Sequence, residues 1–249
     1  RACFRLKYLL DEAKDELALL VTTDNGKTIK DATGEVGRGI ECVEVATGIP
    51  SLMQGSNLED VSRGIDSDMI RQPIGVFAAV TPFNFPFMVP MWFLPFAIAC
   101  GNTFVCKPSE QDPLAVERTF ELLDQIGLPP GVVNLVHGNK VAVDALLEHP
   151  EVDGVSFVGS TPVAHYIYET GAKHGKRVQA LGGAKNHVIV MPDADLDSAV
   201  DGVLSSAFHA AGQRCRANSV CIAVGDAYEP LKTALAEKGG AMVVGDGAD

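Results

Sequence analysis

The chain has 249 residues, 47% hydrophobic and 21% charged, enough for one large α/β domain or for one domain plus part of a second. Twenty basic against 32 acidic side chains leave a net charge of -12, which argues against nucleic acid as a partner. It leaves a dinucleotide open, because helix N-termini hold phosphates without net positive charge.

Residues 1–23 carry helical periodicity, with Phe4, Leu9, Ala13, Leu17 and Leu20 near one face, and Asn25-Gly26 ends the helix. A second helix is expected from Thr28 past Gly39 to Ala46, despite Gly34 and Gly37. Over 53–72, Leu58, Val61, Ile65 and Ile70 stand among polar residues, with a turn candidate at Asp66-Ser67-Asp68. This stretch reads as two exposed strands of the kind that another chain covers. Gln72 to Val105 hold no Asp, Glu, Lys or Arg and so imitate a membrane span. Five prolines and two asparagines interrupt the stretch, so buried core is expected and no membrane partner.

From Gly75 onward, strand candidates 75–80, 103–106, 132–136, 154–158 and 187–191 alternate with helix candidates 88–100, 113–126, 139–147, 161–173 and 195–211. A last strand is expected at 217–224. The alternation predicts an α/β fold, a mainly parallel sheet with helices on both faces. Both ends read as cut: the chain starts without Met inside a helical pattern and stops at a turn, Gly245-Asp246-Gly247.

Ligands of such sheets bind beyond the C-terminal strand ends, where several polar candidates fall. Asn84, in the apolar run Thr81-Pro82-Phe83-Asn84-Phe85-Pro86, is either a structural amide or a donor aimed at an oxyanion. Lys107, in Lys107-Pro108-Ser109-Glu110, is a snorkelling strand-end lysine or, with Glu110, a partner for ribose hydroxyls. Gly159-Ser160 opens a helix directly after a strand, and free N–H groups there hold phosphate; no G-x-G-x-x-G follows a strand.

Six cysteines (3, 42, 100, 106, 215 and 221) form no C-x-x-C pair and read as reduced thiols. Cys100 and Cys106 sit in apolar runs and read as buried, and Cys221, in Val220-Cys221-Ile222-Ala223-Val224, as core. Cys215 differs. Gly212 and Gln213 break the helix before it, and the adjoining Arg214 would favour a thiolate if its side chain points inward. His209, six residues upstream, is within reach of a Cys–His pair. No histidine has metal-ligand spacing, so no metal is expected.

The stretches Thr81–Pro86, Lys107–Glu110, Phe157-Val158-Gly159-Ser160-Thr161 and Gly212-Gln213-Arg214-Cys215 together resemble the aldehyde dehydrogenase superfamily, along essentially the whole chain. The resemblance implies a Rossmann-like NAD-binding domain over 1–52 and 73–211, oligomerisation strands over 53–72 serving a dimer or tetramer, and the start of a catalytic domain over 212–249. It implies Cys215 as nucleophile, with Asn84 and the Cys215 N–H forming the oxyanion hole. It implies NAD contacts at Thr81, Pro82, Phe83, Lys107, Ser109, Glu110, Gly159 and Ser160. The family runs to about twice this length, so the resemblance covers its nucleotide-binding half and the nucleophile loop.

Hydrolytic members carry a general base in Glu-Leu-Gly-Gly-Lys. Here Leu181 stands at that Glu, 34 residues before Cys215. Without a base, water attack on a thioester slows by roughly 10²–10⁴-fold. Coenzyme A thiol needs no such base. Gly183-Ala184-Lys185-Asn186-His187, with Asn25-Gly26-Lys27-Thr28 and Gly34-Glu35-Val36, is similar to the CoA-acylating methylmalonate-semialdehyde dehydrogenase branch. That branch implies oxidation of malonate or methylmalonate semialdehyde through a cysteine thioester, decarboxylation, and transfer of the acyl group to CoA. It also implies a substrate carboxylate on Arg38 and Arg214, and a cytoplasmic location (mitochondrial matrix if eukaryotic). The sequence departs from the branch at Leu181, usually Asn, and at Arg216, usually Met. A hydrolytic aldehyde dehydrogenase and an inactive nucleotide-binding module are the alternatives.

Overall fold

A computed structural model describes residues 1–249. Four helices come first: α1 (Ala2–Glu12), α2 (Lys14–Asn25), α3 (Ile29–Ala46) and the short α4 (Ile49–Leu52). The single helix expected over 1–23 is broken at Ala13 (φ -94°, ψ 9°). Its buried stripe is Cys3, Leu6, Leu10, Ala13, Leu17 and Val21, a regular three-and-four spacing. Phe4, expected on that face, is 63% exposed. Gly26 stops α2 in the left-handed region (φ 81°), and the Thr28 hydroxyl caps α3 by accepting from the Asp31 N–H. α3 forms despite its glycines because Ala32, Val36, Ile40, Val43 and Ala46 bury one face.

β1 (Ser56–Ser62) and β2 (Ile65–Met69) form an antiparallel hairpin with every residue exposed. The chain reverses at Arg63-Gly64, where Gly64 takes φ 75°; the expected turn at Asp66-Ser67-Asp68 is strand. The Asp66 carboxylate accepts from the Asp60 N–H across the hairpin instead of turning its own backbone.

The main sheet is parallel throughout: β3 (Val76–Val80), β4 (Thr103–Lys107), β5 (Val133–Leu135), β6 (Val152–Val158) and β7 (Arg177–Leu181), ordered β5-β4-β3-β6-β7. The helices that follow its strands are α5 (Met88–Met91), α6 (Leu94–Ala99), α7 (Leu114–Leu123), α8 (Lys140–Glu148) and α9 (Thr161–Lys173). The expected helix 88–100 is two pieces, with Pro95 in the first turn of the second. β7 was not expected: Arg177 and Gln179 alternate with Val178 and Ala180, too weak a pattern for a buried strand. The charge-free stretch 72–105 folds as β3, α5, α6 and most of β4, and no helix is long and apolar enough to cross a membrane.

β8 (Asn186–Val190), expected in the main sheet, pairs instead with β9 (Asn218–Ala223) in a second parallel sheet. With α10 (Leu196–Phe208) and α11 (Tyr228–Gly240), the latter unforeseen, it closes a small core around Val190, Val200 and Leu231. The boundary between sheets therefore falls between Leu181 and Asn186, and Gly212 lies within the second unit. These helices leave one face of the sheet open. Ile189 and Ile222 are exposed there. Cys221, expected in the core, alternates onto the side of Val188 and Val190 but is exposed too, because the small core around Val190, Val200 and Leu231 does not reach it. Cys106 is fully buried, and burial pushes its thiol up to about 12, whereas Cys100 is only half-buried.

One core packs α1–α3, α6 and α7 against one sheet face; another, with Val80, Leu147, Val155 and Ile167, covers the other. β3 enters first, β4 and β5 extend one way, and β6 and β7 the other. The strand order thus reverses between β3 and β6, where sheets of this kind bind ligands. Val80 is flush with both Lys107 and Phe157, so the loops after β3, β4 and β6 leave at one level.

Two glycines of α3 differ in their surroundings. At Gly39 an added Cβ would stand 2.5 Å from the buried Phe87 ring, whereas at Gly34 it would meet nothing within 4 Å. Chemical denaturation is expected to find Gly34→Ala stabilised by up to about 1 kcal/mol and Gly39→Ala destabilised by about 1–2 kcal/mol, overpacking outweighing helix propensity.

Candidate active site

The loop after β3 carries Asn84 and is held from below by the α2–α3 turn. Lys27 Nζ donates to the Asn84 carbonyl (2.7 Å) and to Glu35 Oε2 (2.6 Å), and lies 4.4 Å from the centroid of the Phe85 ring. Glu35 Oε1 accepts from the Phe87 and Met88 N–H groups at the start of α5 (3.0 and 3.1 Å). Both side chains of this ion pair are essentially out of solvent. Asn25 Nδ2 donates to the Phe83 carbonyl (3.0 Å) and to Asp112 Oδ2 (2.8 Å). Burial pushes the Asp112 carboxyl up to about 7, against the Asn25 hydrogen bond and with the help of nearby Asp24. Lys27, Glu35, Asn25 and Asp112 were not singled out as site residues from the sequence. The available sign was the stripe Asp31, Glu35, Arg38, Cys42 and Val45, spaced four and three apart on α3.

The cysteine loop has its own supports. α10 stops at Phe208 and not at Ala211, as expected; Ala210, Ala211 and Gly212 all take positive φ (51°, 53° and 72°). Two consecutive alanines in the left-handed region are strained and need surrounding contacts to hold them. Asn84 Nδ2 donates to the Gln213 carbonyl (2.8 Å). Asn186 Nδ2 donates to the carbonyls of Cys215 (2.8 Å) and Ala217 (3.0 Å). The Ser206 hydroxyl donates to the Arg216 carbonyl (3.4 Å) and accepts from the Asn218 N–H (3.2 Å). His209 pairs with Asp31 of α3 (3.3 Å), anchoring the entry to this turn.

Cys215 is exposed at the meeting of two clefts. One, of about 500 Å³, brings together Pro82, Phe83, Asn84, Gly159, Ser160 and the Gly182-Gly183 pair. The N-terminus of α9 opens there, and the Ser160 hydroxyl makes no cap bond. A Cβ on Gly182 would crowd Thr161 Oγ1 at 3.1 Å, and Gly183 N–H donates to that oxygen (3.0 Å). Bare glycine backbone beside a helix N-terminus is a fitting cradle for a pyrophosphate. The other cleft, of about 370 Å³, has apolar walls at Phe85, Met88 and Trp92 and carries Arg38 and Arg214.

Five expected site residues reach the first cleft with Cys215, and both arginines reach the second. Thr81, Lys107, Ser109 and Glu110 border neither. Thr81 is buried, with its hydroxyl unpartnered. Lys107, nearly buried, donates to Glu110 (2.8 Å), and this bond holds the Glu110 carboxyl below its ordinary range. Ser109 Oγ accepts from the Gln111 N–H. Leu181 ends β7 and borders neither cleft.

The profile of the aldehyde dehydrogenase family matches residues 1–249. A malonate-semialdehyde dehydrogenase of Geobacillus kaustophilus is 57% identical over 249 residues, all of this chain and 51% of that protein; one of Halalkalibacterium halodurans is 56% identical over the same shares. Among solved structures, the methylmalonate-semialdehyde dehydrogenase of Oceanimonas doudoroffii superposes with a TM-score of 0.97 at 52% identity, covering 100% of this chain and 51% of that one. A methylmalonate-semialdehyde dehydrogenase structure from Sinorhizobium meliloti, complexed with NAD, gives 0.96 at 47% identity, covering 99% and 50%. The chain spans about half the length of the relatives it matches.

Lys27→Met would leave the Glu35 charge buried without its partner, and equilibrium unfolding is expected to show a loss of about 3–5 kcal/mol, with much of it recovered in Lys27→Met/Glu35→Leu. Asp112 has a folded pKa above its unfolded value, so its contribution to stability is full below about pH 4 and is lost as pH rises through about 7. Asp112→Asn, compared with the parent in urea titrations across that window, is expected to gain in relative stability as pH rises.

Proposed function

The chain belongs to the aldehyde dehydrogenase family, and from that premise we propose that it forms the NAD-binding half and nucleophile loop of a CoA-acylating semialdehyde dehydrogenase. The supporting observation is the junction itself: one cysteine faces a phosphate-type cradle on one side and an arginine-bearing cleft on the other. A relative complexed with NAD, and relatives named for malonate and methylmalonate semialdehydes, agree with both halves of this reading.

In this reading the main sheet with α1–α4 is the NAD-binding domain, and the second sheet is the start of the catalytic domain. The exposed β1–β2 hairpin is the oligomerisation arm of a dimer or tetramer. Gly159 and Ser160 would take the pyrophosphate of NAD; Thr81, Pro82 and Phe83 would contact the dinucleotide; and Lys107, Ser109 and Glu110 would hold the ribose. Bound NAD supplies the acceptor for the hydride. The six thiols are all free, in keeping with a reducing, cytoplasmic location for a mechanism that needs one of them.

The Cys215 thiolate attacks the aldehyde carbon. The resulting alkoxide is met by the Cys215 N–H and by Asn84, whose Nδ2 carries two hydrogens and spends only one on the Gln213 carbonyl. Arg38 and Arg214 hold the substrate carboxylate. After oxidation the acyl group sits on Cys215 as a thioester. Its β-carboxylate leaves as CO₂, the same donors hold the enolate, and a proton completes the acyl group. Leu181 cannot deprotonate water, so coenzyme A thiolate attacks the thioester carbonyl, forming acyl-CoA and releasing the Cys215 thiolate.

In the intact polypeptide bearing this sequence, NADH release from malonate semialdehyde is expected to pass one turnover only when CoA is present, and Cys215→Ala is expected to abolish it. Free acid carrying solvent oxygen, formed without thiol as fast as NADH, would favour a hydrolytic enzyme instead.

A further inference from the structure

The arginine cleft holds a cation that the chemistry above leaves unused. Arg38, Arg214 and Arg216 border it together with one carboxylate, Glu41, and no guanidinium among them lies within 4.0 Å of any carboxylate. Arg38 packs over the Phe85 ring (5.5 Å to the centroid), and its Nε donates to the Gly34 carbonyl. Arg214 Nη1 reaches the Ser205 carbonyl (3.5 Å). The Arg216 side chain has no hydrogen bond, ion pair or aromatic partner, although its backbone carbonyl is pinned by Ser206. Three cations against one anion leave a surplus of two positive charges beside walls of Phe85, Met88 and Trp92, where low polarity strengthens attraction for an anion. A substrate with a single carboxylate neutralises only one.

We propose that Arg216 is a specificity-determining residue of this cleft, binding a second anionic group and so favouring small dianionic acids and aldehydes over those with an apolar branch. The inference rests on the reading of this cleft as the substrate side. A guanidinium here puts five hydrogen-bond donors where an apolar side chain would give a methyl group a surface to lie on. A second acidic group on the substrate chain meets those donors; a methyl branch at the same place displaces their water and returns nothing.

The test follows alkylation of Cys215 by iodoacetamide in the intact polypeptide bearing this sequence, read by peptide mass spectrometry to separate it from the other thiols. Malonate, a dianion, and propanoate, a monoanion, are the probes. Malonate is expected to half-protect Cys215 at a concentration roughly fivefold below propanoate, the size of one solvent-exposed ion pair. Arg216→Met is expected to weaken malonate protection by that factor and abolish the preference, while Arg216→Lys keeps most of it. Equal protection by the two acids in the parent protein, or an unchanged preference in Arg216→Met, would overturn the proposal. Arg38→Met separates the two readings. If it leaves protection by both acids intact while Arg216→Met lowers it, the assignment of the substrate carboxylate to Arg38 fails and the role of Arg216 stands.

Discussion

Two full charges buried together, Lys27 and Glu35, form the joint on which the site depends. Neither is tolerable alone out of water, and each is tolerable here because its hydrogen-bonding capacity is spent on backbone as well as on the other. Lys27 grips the Asn84 carbonyl, and Glu35 grips the first N–H groups of α5. Together they tie the loop after β3 to the N-terminal helices at Asn84 and again at Phe87 and Met88. A pair of apolar side chains would fill the same volume, but they would not specify where the carbonyl of Asn84 points.

α3 carries this joint and extends it. Asp31, Glu35, Arg38, Cys42 and Val45 run along one of its faces: Asp31 at the His209 anchor, Glu35 in the Lys27 pair, and the other three along the arginine cleft. The neighbouring stripe of α3, Ala32, Val36, Ile40, Val43 and Ala46, is sunk in the main core. Helical period thus turns one buried seam into a rigid ruler for the groups beside it. The cysteine loop, whose left-handed alanines are strained, is fastened to this ruler through His209 and Asn84, and to the second sheet through Asn186.

Much of this was legible in the chain. Strands followed by polar residues at one level of an α/β sheet marked Asn84, Lys107 and Ser160 as neighbours, because a parallel sheet must present its C-terminal loops together; Cys215 stood out by the broken helix before it. The hairpin within 53–72 was legible from apolar residues scattered among polar ones, although Leu58, Val61 and Ile65 also fit a helical spacing. The supports were not. Asn186 lies 29 residues from Cys215, and Asn25 lies 58 from Phe83; no local pattern marks a side chain whose partner is a distant backbone carbonyl. Phe4 was misplaced because a 23-residue window contains two overlapping stripes, and only the break at Ala13 and the neighbouring helices select one.

Local chemistry in the sequence determined which groups were able to react and roughly where along the sheet they emerge: hydrophobic period, proline and glycine breaks, and a cysteine set after a broken helix all act within a few residues. Only the tertiary structure decided the membership of β8, the exposure of Cys221, and the meeting of two clefts at one sulfur. Those depend on which faces find a partner across the chain, and burial is a property of the assembled surfaces, which no stretch of residues carries by itself.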